Sequence, residues 1–152
     1  MNNLIINILE YIDNSLYSKI SIDDLSRIFY FNKDYIMRVF KKELGLTIID
    51  YINKKRIFNS LDDLGKTDNY ILKIAIKHGF ASQEYYSEIF TKITGVNPLT
   101  YRKFNNPNTT ISYEEISTIR KNLTDLKYQL DKISKYRCNI PKETVKRLSI
   151  YK

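Results

Sequence analysis

Two stretches of this chain repeat one another, and that repeat constrains the fold more than any other feature. Phe31 matches Phe80 at an offset of 49, while Asn32 and Ser82, Phe40 and Phe90, and Gly45 and Gly95 match at 50. The register slips by one at the turn, where Ala81 is extra. Each copy therefore reads as a helix, a turn, and a capped second helix with phenylalanine eight residues past the cap and glycine five further on. Cap, aromatic and glycine recurring in register are far more specific than one occurrence. They imply that a single supersecondary unit is used twice.

Local chemistry explains each copy. In the first, Ser21 with Asp24 resembles a capping box that opens the helix IDDLSRIFY. After a break at Phe31, Asn32 caps KDYIMRVFKKEL, whose buried stripe is Ile36, Val39, Phe40 and Leu44, and Gly45 closes it. In the second, Ile71, Ile74 and Ala75 share one face, and Gly79 supplies a turn residue without a Cβ. Ser82 then caps a helix with the stripe Tyr86, Ile89, Phe90 and Ile93; Gly95 ends it, and Pro98 is expected to keep it from resuming. Helix, tight turn, helix is the layout of a helix-turn-helix, the plain alternative being any helical hairpin.

The surroundings are helical too. Leu4, Ile5, Ile8, Leu9 and Ile12 form one face of an N-terminal amphipathic helix. Between the copies, Thr47 and Asp50 open IIDYINKKRIFNSLDDLG, expected to stop at Gly65, with Ile57, Leu61 and Leu64 inward and Lys54 and Lys55 wet. The fold class is all-α: two helix-turn-helix subdomains joined by a long helix, plus a C-terminal heptad-patterned helix. The expected organisation is a domain over 1–104 (first motif 21–45, linker helix 47–64, second motif 70–95), a linker over 105–111 and an extension over 112–152.

A net charge of +8 and a pI near 9.4 point to acidic partners, nucleic acid first and anionic membrane second. Cys138 is the only cysteine, so no internal disulfide forms and a reducing, cytoplasmic setting fits. The apolar run LIINILEYI is interrupted by Glu10 and followed by Asp13, and it reads neither as a signal peptide nor as a membrane span. His78 is the sole histidine, and its place before the turn glycine reads as a partly exposed capping residue. Without a cluster of histidine, cysteine or carboxylates at ligand spacing, no metal, cofactor or nucleophilic site is expected, and the chain does not read as an enzyme.

Residues 4–104 resemble the DNA-binding domain of the AraC/XylS family of bacterial transcription regulators. The second copy carries the resemblance above all, through Ile71, Ile74-Ala75, Gly79-Phe80, Tyr85-Tyr86, Phe90, Gly95, Pro98 and Tyr101-Arg102. Leu25, Ile36, Arg38, Phe40, Gly45, Tyr51 and Arg56 agree in the first. The resemblance implies a monomeric domain of two helix-turn-helix units held apart by one helix. A helix over 47–64 would span about 27 Å, near the roughly 34 Å between successive major grooves on one DNA face. The family also implies double-stranded DNA as partner and activation through RNA polymerase, and nothing in the residues separates activation from repression. A ligand-sensing domain is common in the family; none precedes these motifs, so the chain is either a stand-alone regulator or a piece of something longer.

In the first unit Arg38 is the best candidate for base readout, because a guanidinium can bond a guanine edge bidentately; the family also admits a structural ion pair there. Met37 is a candidate for contact with a thymine methyl, and Asp34 either accepts from cytosine or repels phosphate. Asn32, Lys33, Lys41 and Lys42 are phosphate candidates. The second unit departs from the family: Glu88 stands where arginine or lysine is usual, matching Arg38. With Glu84 it would set two carboxylates toward phosphates, a cost that salt removes only beyond a Debye length of about 8 Å. This helix is therefore expected to sit shallowly, to read cytosine through Glu84 or Glu88, or to stay out of the groove. Gln83 remains an adenine reader and Ser87 a further base contact, while Ser82, Arg102 and Lys103 are phosphate candidates.

The family does not explain the tail. Asn105-Asn106-Pro107-Asn108 breaks the composition, and Ser112 with Glu115 forms another capping box. Ile116, Ile119, Leu123, Leu126, Leu130 and Ile133 then recur at spacings of 3, 4, 3, 4, 3. Two readings stand: a coiled coil over 112–137 that forms a homodimer or grips a partner helix, and a long helix folded back on the domain. The segment NIPKETVKRLSIYK is basic, with a short helix expected after Pro141. With 10 Lys and Arg against 5 Asp and Glu, residues 105–152 add general attraction to DNA. The leading reading is a sequence-specific regulator reading the major groove mainly through its first motif. The other is a protein-interaction adaptor that uses the heptad tail and the acidic second motif and binds DNA weakly.

Overall fold

The computed structural model describes residues 2–138. The expected helix after Pro141 lies outside them. Eight helices are present among these residues and no strand: α1 (Asn2–Asn14), α2 (Ile22–Phe29), α3 (Lys33–Leu44), α4 (Ile48–Lys66), α5 (Ile71–Lys77), α6 (Gln83–Thr94), α7 (Pro98–Phe104) and α8 (Tyr113–Cys138). No described helix is long and apolar enough to cross a membrane. The chain forms two compact units: residues up to Ile52 with α8 from Asp131 onward, and Asn53–Leu130.

In the first unit, Ile5, Ile8, Leu9 and Ile12 of α1 are fully buried, and Leu25, Ile36, Phe40 and Tyr51 are buried as well. Ser21 accepts from the Asp24 amide at 3.0 Å and Asn32 from the Asp34 amide at 2.8 Å, so each starts a helix by satisfying a donor that has no intrahelical partner. Tyr51 donates to Asp13 (2.9 Å), which Arg137 of α8 grips from the other side. Burial, then the Asp13 charge, pushes the Tyr51 phenol well above its usual range.

The second unit is built on aromatic rings. Phe80 packs edge-on to Tyr86 (5.1 Å between centroids), Tyr86 to Phe90 (5.7 Å), and Phe90 edge-on to Tyr101 (5.7 Å). Ile57, Leu64, Ile74, Ala75, Val96 and Ile119 complete this core. The Tyr86 hydroxyl stays buried because Ser60 Oγ lies 2.9 Å away, and burial raises its pKa to about 12.

Several expectations are corrected. Gly65 does not stop α4, which runs on to Lys66. The Asn105 side chain sits where a Gly65 Cβ would be, at 2.9 Å, so glycine here allows close packing. Pro98 does not merely prevent helix: Asn97 caps the Thr100 amide at 2.8 Å and proline, needing no N–H in the first turn, begins α7. His78 is 6% exposed, not partly exposed, and its Nε2 lies 2.8 Å from Asp63. Lys77 and then His78 hold the Asp63 carboxyl below its usual range.

The heptad seam is also resolved. Ile119, Leu126 and Ile133 are buried within the chain, with Ile116, Leu123 and Leu130 half-buried. Ile119 belongs to the second core, and Leu123 packs against it. Asn122 donates to the Thr94 carbonyl at 2.9 Å, and Thr118 lies against Gly95. Ile119, Leu126 and Ile133 are thus spent on packing within the chain.

Candidate nucleic-acid interface

Each unit presents one capped helix with a polar outer face. In α3, capping by Asn32 sets the start and burial of Ile36, Val39 and Phe40 sets the rotation. Lys33, Asp34, Met37, Arg38, Lys41 and Lys42 are therefore all exposed. Arg38 is held: its guanidinium carbon lies 5.6 Å from the Tyr35 ring centroid. Tyr35 in turn stacks on Phe31 at 5.4 Å and 18°. Lys33 is paired with Asp23 (2.7 Å), whose carboxylate keeps the ammonium pKa above its usual value. That leaves Arg38, Lys41 and Lys42 as the cations of this face that are not committed to that pair.

In α6, Ser82 accepts from the Tyr85 amide at 3.1 Å, and Tyr86 and Phe90 turn inward. Gln83, Glu84 and Glu88 are exposed, with Ser87 half-buried beside them. Its carbonyl accepts from Thr91 at 2.8 Å. The two glutamates, four residues apart, lie on one helical face. The oxygens of Asn32 and Ser82 are spent as acceptors on their own helices, so only their donors remain for a phosphate.

Arg102 is misplaced by sequence reasoning. Its Nε donates to the Leu64 carbonyl (2.9 Å) and its Nη2 to the Asn69 carbonyl (2.7 Å), tying α7 to the end of α4 and the loop after it. It closes backbone acceptors that have no helical partner, so it is not a free phosphate ligand. Lys103 beside it is exposed. Arg56, 8% exposed, stacks over Phe80 at 5.8 Å, and burial lowers its pKa.

Sequence reasoning missed Tyr35 as the platform for Arg38, although the three-residue helical spacing signals it. It also missed Tyr85, whose hydroxyl accepts from Asn53 at 3.1 Å; no local pattern announces that contact.

The repeat is now visible as geometry. Gly45 and Gly95 end α3 and α6 with φ of 81° and 85°, each amide donating 2.8 Å back to the carbonyl four residues before, of Lys41 and Thr91. Two short-turn helical pairs, each ending in a capped, solvent-facing second helix, define a helix-turn-helix protein. A family model described as a helix-turn-helix domain matches residues 25–103. The chain belongs to the AraC-type helix-turn-helix family of transcription regulators. It is 31% identical over 101 residues to the HTH-type transcriptional activator AarP of Providencia stuartii, covering 66% of this chain and 75% of that one. With the HTH-type transcriptional regulator YbfP of Bacillus subtilis it shares 33% identity over 96 residues, covering 63% of this chain and only 32% of YbfP. Among solved structures it is similar to the C-terminal domain of AraT, a response regulator from Geobacillus stearothermophilus: TM-score 0.61, 26% identity, 72% of this chain and 89% of that one. The adaptor reading gains no support from these relatives.

Proposed function

We propose that the protein is a sequence-specific regulator that reads one major groove mainly through α3, with Arg38 as the principal base contact. The observation that carries this reading is the contrast between the two exposed helices. On α3, Arg38 stands on a stacked aromatic platform with Met37 beside it and Lys41 and Lys42 toward the helix end. On α6 the matching outer face offers Glu84 and Glu88. A phosphate backbone attracts the first and repels the second. Gln83 and Ser87 remain the neutral base contacts of α6, and Lys103 a phosphate contact. AarP, named as a transcriptional activator, favours activation over repression; contact with RNA polymerase is what the family resemblance adds.

The test is fluorescence anisotropy on a selected duplex at several salt concentrations. Arg38→Ala is expected to cost about 1–3 kcal/mol and to relax preference at one base pair. Lys41→Ala should instead weaken all sequences alike and lower the salt slope by about one. Glu88→Arg should tighten general affinity if α6 approaches the duplex; unchanged affinity would keep α6 out of the groove. Uniform loss for Arg38→Ala, with preference intact, would remove it as a base reader.

A further inference from the structure

The outer face of α5 breaks the pattern of its own repeat. Leu72 is 51% exposed, Ile76 54% and Tyr70 85%. At the offset of 49 their counterparts are Asp23, Arg27 and Ser21. Those three residues do what a solvated helix asks: Ser21 caps, Asp23 pairs with Lys33, and Arg27 pairs with Asp24. Tyr70 occupies the N-cap of α5 but makes no side-chain cap bond. A cap side chain is worth about 1 kcal/mol, and exposed leucine and isoleucine offset none of that loss. The strip therefore gives up local stability that the first copy keeps.

Tyr70, Leu72 and Ile76 line one open depression with Lys73, Lys77 and Gln83. Leu72 and Ile76 are one helical turn apart, and a lysine follows each. Lys77 shares Asp63 at 2.9 Å yet stays 62% exposed, and Lys73 is exposed beside it. A narrow apolar strip with a cationic border matches a helix with apolar side chains on one face and carboxylates flanking them. A second copy of the same strip would set lysine against lysine. DNA phosphates offer nothing to leucine and isoleucine, and two helical positions are too small an area to hold a bilayer surface.

We propose that this strip docks an acidic amphipathic helix of another protein, so that the second motif of this regulator serves recruitment as well as DNA recognition. The test uses the full chain and a labelled synthetic helical peptide with leucines on one face and glutamates on the others. The comparison peptides have the same composition scrambled, or lysines in place of the glutamates. Saturable binding is expected for the acidic amphipathic peptide alone. Leu72→Asp with Ile76→Arg restores the residues of the first copy at no change in net charge. It should weaken peptide binding about tenfold or more and leave DNA affinity unchanged. Circular dichroism checks its fold, and Leu72→Ala with Ile76→Ala replaces it if the charged pair fails. Equal binding of the scrambled peptide, or undiminished binding by a folded variant, would overturn the proposal. So would loss of DNA affinity in the variant, which gives the strip to DNA, or concentration-dependent self-association that the variant abolishes, which gives it to a second copy.

Discussion

Tyr30 is the residue at which the two copies solve one problem differently. Both turns need a residue with positive φ; the second uses Gly79 at 90°, while the first uses Tyr30 at 61°. A side chain in this region costs about 1–2 kcal/mol. Tyr30, 92% exposed, recovers little of it by packing. Tyr30→Gly should therefore stabilise the protein by about 0.5–1 kcal/mol, after the larger unfolded-state entropy of glycine is subtracted. Urea denaturation checks it, and a loss of stability would mean the ring holds something in the turn. Gly79 and the caps Ser21, Asn32 and Ser82 were legible in the sequence because turn and cap chemistry is local. Arg102 was not: its partners Leu64 and Asn69 lie more than thirty residues away, and only the folded chain brings them near.

At the scale of elements, periodicity reported which helices exist and which face of each is apolar. It could not report what covers that face. The heptads of α8 would serve a partner helix equally well, and the decision lies in contacts such as Thr118 against Gly95 that leave no trace in the spacing. Because Ile119 is fully buried in the second core, Ile119→Ala should destabilise the protein by about 2–5 kcal/mol. A partner seam would predict otherwise: the same substitution would lower mass in solution and barely move the unfolding midpoint. Proline shows the same gap, since Pro98 can bar a helix or begin one. Asn97, with its side chain on the Thr100 amide, decides for the second.

For the whole molecule, buried phenols give a pH signature that charge counting misses. Tyr86 titrates near 12 when folded, against about 10 in the unfolded chain. Its contribution is complete below pH about 10 and is lost as pH rises through about 12, because the unfolded state then releases a proton the folded state keeps. The slope for this one group is about 1.4 kcal/mol per pH unit. Tyr51, raised by burial beside Asp13, acts in the same direction. Denaturation at pH about 9, 10 and 11 should show the decline, with Tyr86→Phe showing less of it.

The order in which the chain leaves the ribosome adds one more consequence. Asn53–Leu130 is an unbroken run, whereas the other unit joins residues before Ile52 to α8 after Asp131. Asp13 and Glu10 meet Arg137 across more than a hundred residues. During synthesis the segment made first therefore lacks this partner until nearly the whole of α8 has emerged. The downstream unit, local in sequence, has every residue it needs sooner. The motif translated first, which carries Arg38, is in this sense completed last.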